Sequence, residues 1–241
     1  MKFDINKSPD FQAGQVLLIN KPLYWTSFDV VNKIRIILKN DLKTGPIKVG
    51  HAGTLDPLAT GLLILCTGRF TKRIEEFQAR EKEYTGTLTL GATTPSYDKE
   101  TPIDRTFDID HISEELIKKT TGEFIGTITQ IPPIFSAKKI DGERVYKKAR
   151  RREKVVLKPI KVLITKFEIM KINPRVSLND VVIRDIEFRI ICSKGTYIRS
   201  LIHDFGKALS AGAYLSSLCR IRIGNFTLTD ALAIDELKLR T

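Results

Sequence analysis

Segments of two periodicities follow one another along this 241-residue chain without a regular βα alternation, and that ordering narrows the possible fold more than any other feature. "QVLLINKP" reads as a strand closed by Pro22, and "TSFDVVNKIRIILKN" as a helix capped near Thr26 or Ser27, with Phe28, Val31, Ile34 and Leu38 along one face. The apolar run Leu62 to Cys66 reads as a strand, "GRFTKRIEEFQAR" as a helix, and "KEYTGTLTLG" as a half-buried strand of period two. Thr93 to Asp104 is polar and turn-rich, so an exposed loop is expected there. A helix from Ser113 to Thr121 follows, with Ser113 as its cap. Strands are expected around Val155 to Ile169 and Val181 to Cys192, the second leading through Ser193-Lys194-Gly195 into a helix. That helix carries Ile198, Leu201, Ile202, Phe205 and Leu209 on one face. A last strand near Ile221 to Leu228 and a short helix from Asp230 complete the reading, and no internal repeat is found. The expected class is α+β, with a mixed, mainly antiparallel central sheet flanked by helices, as a single domain over 1–241.

Charge supplies the second constraint. Forty Lys and Arg against 28 Asp and Glu leave +12, an excess that favours a polyanionic partner, nucleic acid being the commonest. More than half of it sits between Lys138 and Lys158. Ten basic residues there, among them Lys138, Lys139, Arg150, Arg151 and Arg152, face three acids, for a local charge of +7. The prolines and basic residues from Gln130 onward mark an excursion from the core. The three cysteines are widely separated, and no His pairs with another His or Cys at ligand spacing, so no disulfide framework or structural metal is expected. No apolar run approaches a membrane span and Met1 to Asn6 lacks a signal-peptide core, which leads us to expect a cytoplasmic protein without a membrane partner.

Chemistry centres on "HAGTLDPLATG", residues 51–61, where Asp56 precedes a proline in a glycine-edged segment. Asp-Pro is a common turn or cap, and the same geometry presents a carboxylate at a loop tip. His51, Tyr84, Tyr197 and Arg199 are the side chains that could converge on it. Each also has an ordinary role, in packing for the tyrosines, solvation for the arginine and a local hydrogen bond for the histidine. The phosphate-loop, dinucleotide-binding and GxSxG spacings are all absent.

Taken together these stretches resemble one family. "INKPLYWTS" is similar to a KPxGxTS element, "VGHAGTLDPLATGLLILCTGRFTK" to GHxGTLDPxAxGxLxxxxGxxTK, and "KEYTGTLTLGATTPSYD" to KxYxxxxxLGxxTxTxD. With "QIPPIFSAKKIDGERVYKKAR", "CSKGTYIRSLIHDFG" and "AYLSSLCRIRIGNF" they form six ordered blocks that resemble the TruB-type tRNA pseudouridine synthases almost end to end. The resemblance implies a pseudouridine synthase fold and isomerisation of uridine to pseudouridine at position 55 in the T loop of tRNA, without guide RNA or cofactor, by a monomer. It implies Asp56 as nucleophile, Arg199 as its ion-pair partner, and Tyr84 as a tyrosine beside the target base that serves as general base. Tyr197 would stack on the flipped uracil, His51 would contact nucleotides of the opened loop, Leu218 would line the uridine pocket, and Lys21 with Pro22 would support the site wall. Residues 130–158 resemble the family's RNA-gripping thumb-like insertion. Two departures stand out: Tyr24 replaces a usual Gly, and the chain ends at Thr241 after one short helix, so no C-terminal PUA domain is expected. The alternative function is a non-catalytic RNA-binding module or tRNA folding chaperone.

Overall fold

An uninterrupted apolar run such as Leu62 to Cys66 must be covered on both faces, and residues of alternating parity must therefore enter two separate cores. The computed structural model, which describes residues 10–41, 46–136, 139–140, 143–145, 148, 151, 153, 155–178 and 181–236, shows this arrangement. Leu63 and Leu65 join Leu17, Ile19, Val30, Val31, Ile34 and Leu38 in one cluster, while Leu62, Ile64 and Cys66 join Phe77 and Ile223 in another.

In chain order the elements are β1 (Val16–Lys21), α1 (Ser27–Asp41), β2 (Val49–His51), β3 (Ala59–Thr67), a 3₁₀ segment (Gly68–Arg73), α2 (Ile74–Gln78), β4 (Lys82–Leu90), β5 (Ala92–Thr93) and β6 (Arg105–Thr106). They continue with α3 (Glu114–Thr121), β7 (Gly126–Gln130), β8 (Lys139–Ile140), β9 (Glu143–Arg144), β10 (Ile160–Leu178) and β11 (Val181–Cys192). The last are α4 (Ile198–Ala208), β12 (Ala213–Ile223), β13 (Phe226–Thr227) and β14 (Leu232–Ala233). The chain forms two compact units, residues 1–84 with 218–241, and residues 85–217.

In the first unit β1 and β3 run antiparallel, from Val16 opposite Cys66 to Lys21 opposite Gly61. β12 joins β3 in parallel with Leu218 opposite Ala59, and β14 joins β1 in parallel. Gly61 makes this approach possible, since at φ +103° a Cβ there would lie 2.4 Å from the Arg220 carbonyl oxygen. Helix α1 begins with a reciprocal cap. The Asp29 carboxylate accepts from the Thr26 N–H at 2.8 Å, and the Thr26 hydroxyl oxygen accepts from the Asp29 N–H at 3.1 Å.

The second unit is built on the antiparallel pair β10–β11, with β7 antiparallel to β10. The apolar face of α4 is buried, and Phe205 packs at 5.1 Å from Phe167, which meets Phe188 edge-on. The fold is thus α+β with a mixed sheet, as the ordering of elements led us to expect.

Several local expectations need correction. β4 is buried at both ends and half-buried in its middle rather than alternating, and β10 starts at Ile160 and runs on to Leu178 instead of spanning Val155 to Ile169. Phe28 is 58% exposed, and the buried stripe of α1 is Val30, Val31, Ile34 and Leu38, centred away from Phe28. "GRFTKRIEEFQAR" is a 3₁₀ segment followed by the single short helix α2. The last long strand begins at Ala213 rather than near Ile221, and short 3₁₀ turns replace the helix from Asp230. Finally, the start of the 93–104 loop is buried. Thr93, Thr94, Ser96 and Asp98 lie inside because internal hydrogen bonds satisfy their polar groups: Thr93 to Asp104 at 2.7 Å and Thr94 to the Asp98 carbonyl at 2.7 Å.

Candidate active site

Within the first unit, Asp56 sits half-buried on the loop between β2 and β3, and the loop is fastened along its length. The Ser27 hydroxyl, at the start of α1, accepts from the Leu55 N–H at 2.9 Å and donates to the Leu55 carbonyl at 3.2 Å. The Asp56 carbonyl accepts from the Ala59 N–H at 3.0 Å, and the Pro57 carbonyl from the Tyr24 N–H at 2.8 Å. Such fastening fixes the path of the backbone that carries the carboxylate.

Two buried cations belong to the same unit, and one of them bonds the loop directly. Arg220 on β12 is 1% exposed and donates to three carbonyls: Leu62 at 2.8 Å, Gly53 at 3.1 Å and Thr54 at 3.5 Å. Lys21, at the end of β1, is fully buried and donates to the carbonyls of Pro22 at 2.8 Å and Trp25 at 2.6 Å. Burial pushes its ammonium down to about 8, the negative charge of Asp56 opposes that fall, Arg220 adds to it, and Asp29 opposes it. Lys21 and Asp56 are therefore within electrostatic reach of each other. Half-buried His51 is held below its ordinary range by desolvation first and then by the Arg220 charge, with the Gly53 backbone pulling the other way. Its Nδ1 makes no hydrogen bond of normal geometry among the described residues. Leu218 is half-buried and paired with Ala59 across β12 and β3, and Tyr84 is buried on β4. The structure thus gathers Asp56, His51, Lys21, Tyr84 and Leu218 in one unit. Cys66 is no rival nucleophile, because burial pushes its thiol up to about 11.

Tyr197 and Arg199 belong to the second unit. Arg199, in the first turn of α4, is 5% exposed, lies 3.4 Å from the Asp98 carboxylate and donates to the carbonyls of Ser96 at 3.2 Å and Phe135 at 2.9 Å. The Tyr197 backbone is held on both sides by the Gln130 amide, through N–H to Oε1 at 3.1 Å and Nε2 to the carbonyl at 3.3 Å. The expected partnership of Arg199 with Asp56 joins groups from the two units. Of the basic insertion, Lys138, Arg150 and Arg152 lie outside the described residues, and Lys139 is on β8. Arg151 bridges the carboxylates of Glu143 at 2.8 Å and Glu153 at 2.6 Å.

Sequence reasoning missed Arg220 and Asp98, and it gave Ser27 and Gln130 no part in holding the site residues. Arginine is almost never fully buried unless paired, so "CRIRIG" offered no reason to place Arg220 inside. Asp98 was masked by the polar stretch around it. Among the described residues no group of three or more His, Cys, Asp or Glu side chains is placed to hold a metal ion.

Residues 39–198 match the TruB family pseudouridylate synthase (N terminal domain). Over 228 residues the chain is 52% identical to tRNA pseudouridine synthase B of Flavobacterium johnsoniae, covering 93% of this chain and 95% of that one. It is 42% identical over 226 residues to the protein of the same name from Chloroherpeton thalassium, covering 93% and 89%. The fold is similar to that in a crystal structure of a Cbf5-Nop10-Gar1 complex, with a TM-score of 0.69 at 29% identity, and to that in an H/ACA RNP bound to a substrate RNA containing 2'-deoxyuridine, with a TM-score of 0.65 at 27% identity. Each likeness covers 95% of this chain, and the chain spans about half of those chains, 54% and 53%. The matched stretch includes Asp56 and its fastened loop, and on these findings the chain belongs to the TruB family of pseudouridylate synthases.

Proposed function

We propose that the protein is a stand-alone tRNA pseudouridine synthase that isomerises the uridine at position 55 of the T loop, acting as a cytoplasmic monomer without guide RNA or cofactor. The observation that carries this reading is the fastened loop holding Asp56 in one unit with two buried cations, in a chain about half identical to proteins named tRNA pseudouridine synthase B.

The reaction breaks the N1–C1′ glycosidic bond, turns the uracil and forms a C5–C1′ bond; C5 loses a proton and N1 gains one. Nothing is oxidised and no atoms enter, so side chains suffice. The carboxylate of Asp56 acts as nucleophile and must stay ionised in a site from which water is excluded. An anion buried without an opposite charge is costly, so such a site needs cations nearby. Lys21 supplies positive charge within electrostatic reach, and the family resemblance makes Arg199, which lies 3.4 Å from Asp98, the direct ion-pair partner of Asp56. A base within folded RNA must be extruded before it can react, and its exposed faces need cover. Tyr84 packs beside the base and takes the C5 proton, Tyr197 stacks on it, Leu218 lines the pocket, and His51, kept neutral by burial and Arg220, meets the opened loop. In this reading residues 1–241 work as one catalytic domain, and 130–158, with Lys138, Lys139, Arg150, Arg151 and Arg152, grip the phosphates of the T stem.

The test is incubation of the purified chain with an unmodified tRNA transcript, with no guide RNA or metal added, followed by mapping of pseudouridine. Conversion at position 55 alone is the expected result. Binding without conversion would leave an RNA-binding module.

A further inference from the structure

In "INKPLYWTS" the backbone of Tyr24 takes the left-handed conformation that glycine favours, with φ +68°. A tyrosine is strained there. The turn is nonetheless held rigidly. Lys21 donates to the carbonyls on either side, those of Pro22 at 2.8 Å and Trp25 at 2.6 Å, and the Tyr24 N–H donates to the Pro57 carbonyl, one residue beyond Asp56. No packing accounts for the residue either, since Tyr24 is 75% exposed and its neighbour Leu23 is 42% exposed.

From these observations we propose that Tyr24 is a preformed stacking platform for a nucleobase of the bound RNA next to the target uridine. This inference rests on the reading of the chain as a tRNA-modifying enzyme. The ring is attached to the backbone that fastens the catalytic loop, in a chain of charge +12, so a polyanionic substrate docked on Asp56 passes beside it. An aromatic ring on a fixed backbone has few torsions to freeze, and stacking on a base is sequence-tolerant because every base offers a π-face. The folded protein carries the strain before any RNA arrives, as happens where a sparsely populated conformation serves a functional site.

The test uses the Asp56→Asn protein, so that binding to an unmodified tRNA transcript is measured without turnover. Into it are placed Tyr24→Phe, which keeps the ring, Tyr24→Asn, which tolerates a left-handed backbone without a ring, and Tyr24→Gly. The Phe variant is expected to bind within about twofold of its parent, and the Asn and Gly variants about 5- to 50-fold more weakly. The Asn and Gly variants should also have a melting temperature equal to or above that of the parent. Affinities of the Asn and Gly variants within twofold of the parent would overturn the platform alone, as would a Phe variant as weak as Gly. A parent that does not bind tRNA would overturn the tRNA reading and the platform with it.

Discussion

Arg220 braces the loop of Asp56 from a buried position, and its loss should destabilise the protein measurably in a denaturant titration. The role of Asp56 as nucleophile is what the family resemblance implies, but its loop position, ahead of a buried strand, was legible from the Asp-Pro pair and the apolar run that follows. Its brace was not, since nothing local tells a strand arginine that it will be fully buried on three carbonyls. Arg220→Met should cost about 2–4 kcal/mol in a denaturant titration, because it leaves those acceptors without their donor. It should also raise the pKa of His51 as followed by NMR, since the Arg220 charge helps to hold it down. Lys21 gives a prediction of definite sign. Its pKa is 10.5 in the unfolded chain and about 8 in the folded one, so between these values the unfolded chain binds more protons. Stability contributed at this site is therefore lowest below pH 8 and rises as pH increases toward 10.5. Urea unfolding across that window should show the rise, and Lys21→Met should remove it.

At the scale of elements, capping chemistry was the most readable signal. Ser113 does accept from the Leu116 N–H at 3.1 Å at the start of α3, and Ser113→Ala should cost about 1 kcal/mol by thermal or chemical denaturation. Gly61→Ala should cost more, about 3 kcal/mol or above, because the added carbon meets the β12 backbone at a position that also has positive φ. What stayed illegible were elements whose environment comes from distant chain. Thr93, Thr94, Ser96 and Asp98 read as exposed from composition alone, and hydrogen bonds to one another and to Asp104, Thr101 and Arg199 satisfy them once buried. The start of β12 was hidden by its serines, Ser216 and Ser217, which hydrogen-bond to Thr89 and Thr87 on β4. Phe28 was misplaced because a spacing of three fits more than one edge of a helical stripe.

For the whole molecule, composition announced a polyanionic partner, but not how the chain divides. Residues 218–236 return to β1 and β3 through pairings such as Leu218 with Ala59 and Leu232 with Ile19, and pairing across so long a sequence separation leaves no local trace. The charge itself yields a prediction. Replacing Arg150, Arg151 and Arg152 with Gln should weaken tRNA binding and lower the slope of log affinity against log salt by about 2, with Arg151 contributing least because Glu143 and Glu153 already engage it. An unchanged slope would place the RNA contact elsewhere. The most direct trial of the account as a whole compares the wild-type chain with Asp56→Asn on one unmodified tRNA transcript, reading affinity and pseudouridine at position 55 together. The account predicts affinity within about threefold and conversion abolished by the substitution. Conversion by the Asn variant at an unaltered rate would contradict it.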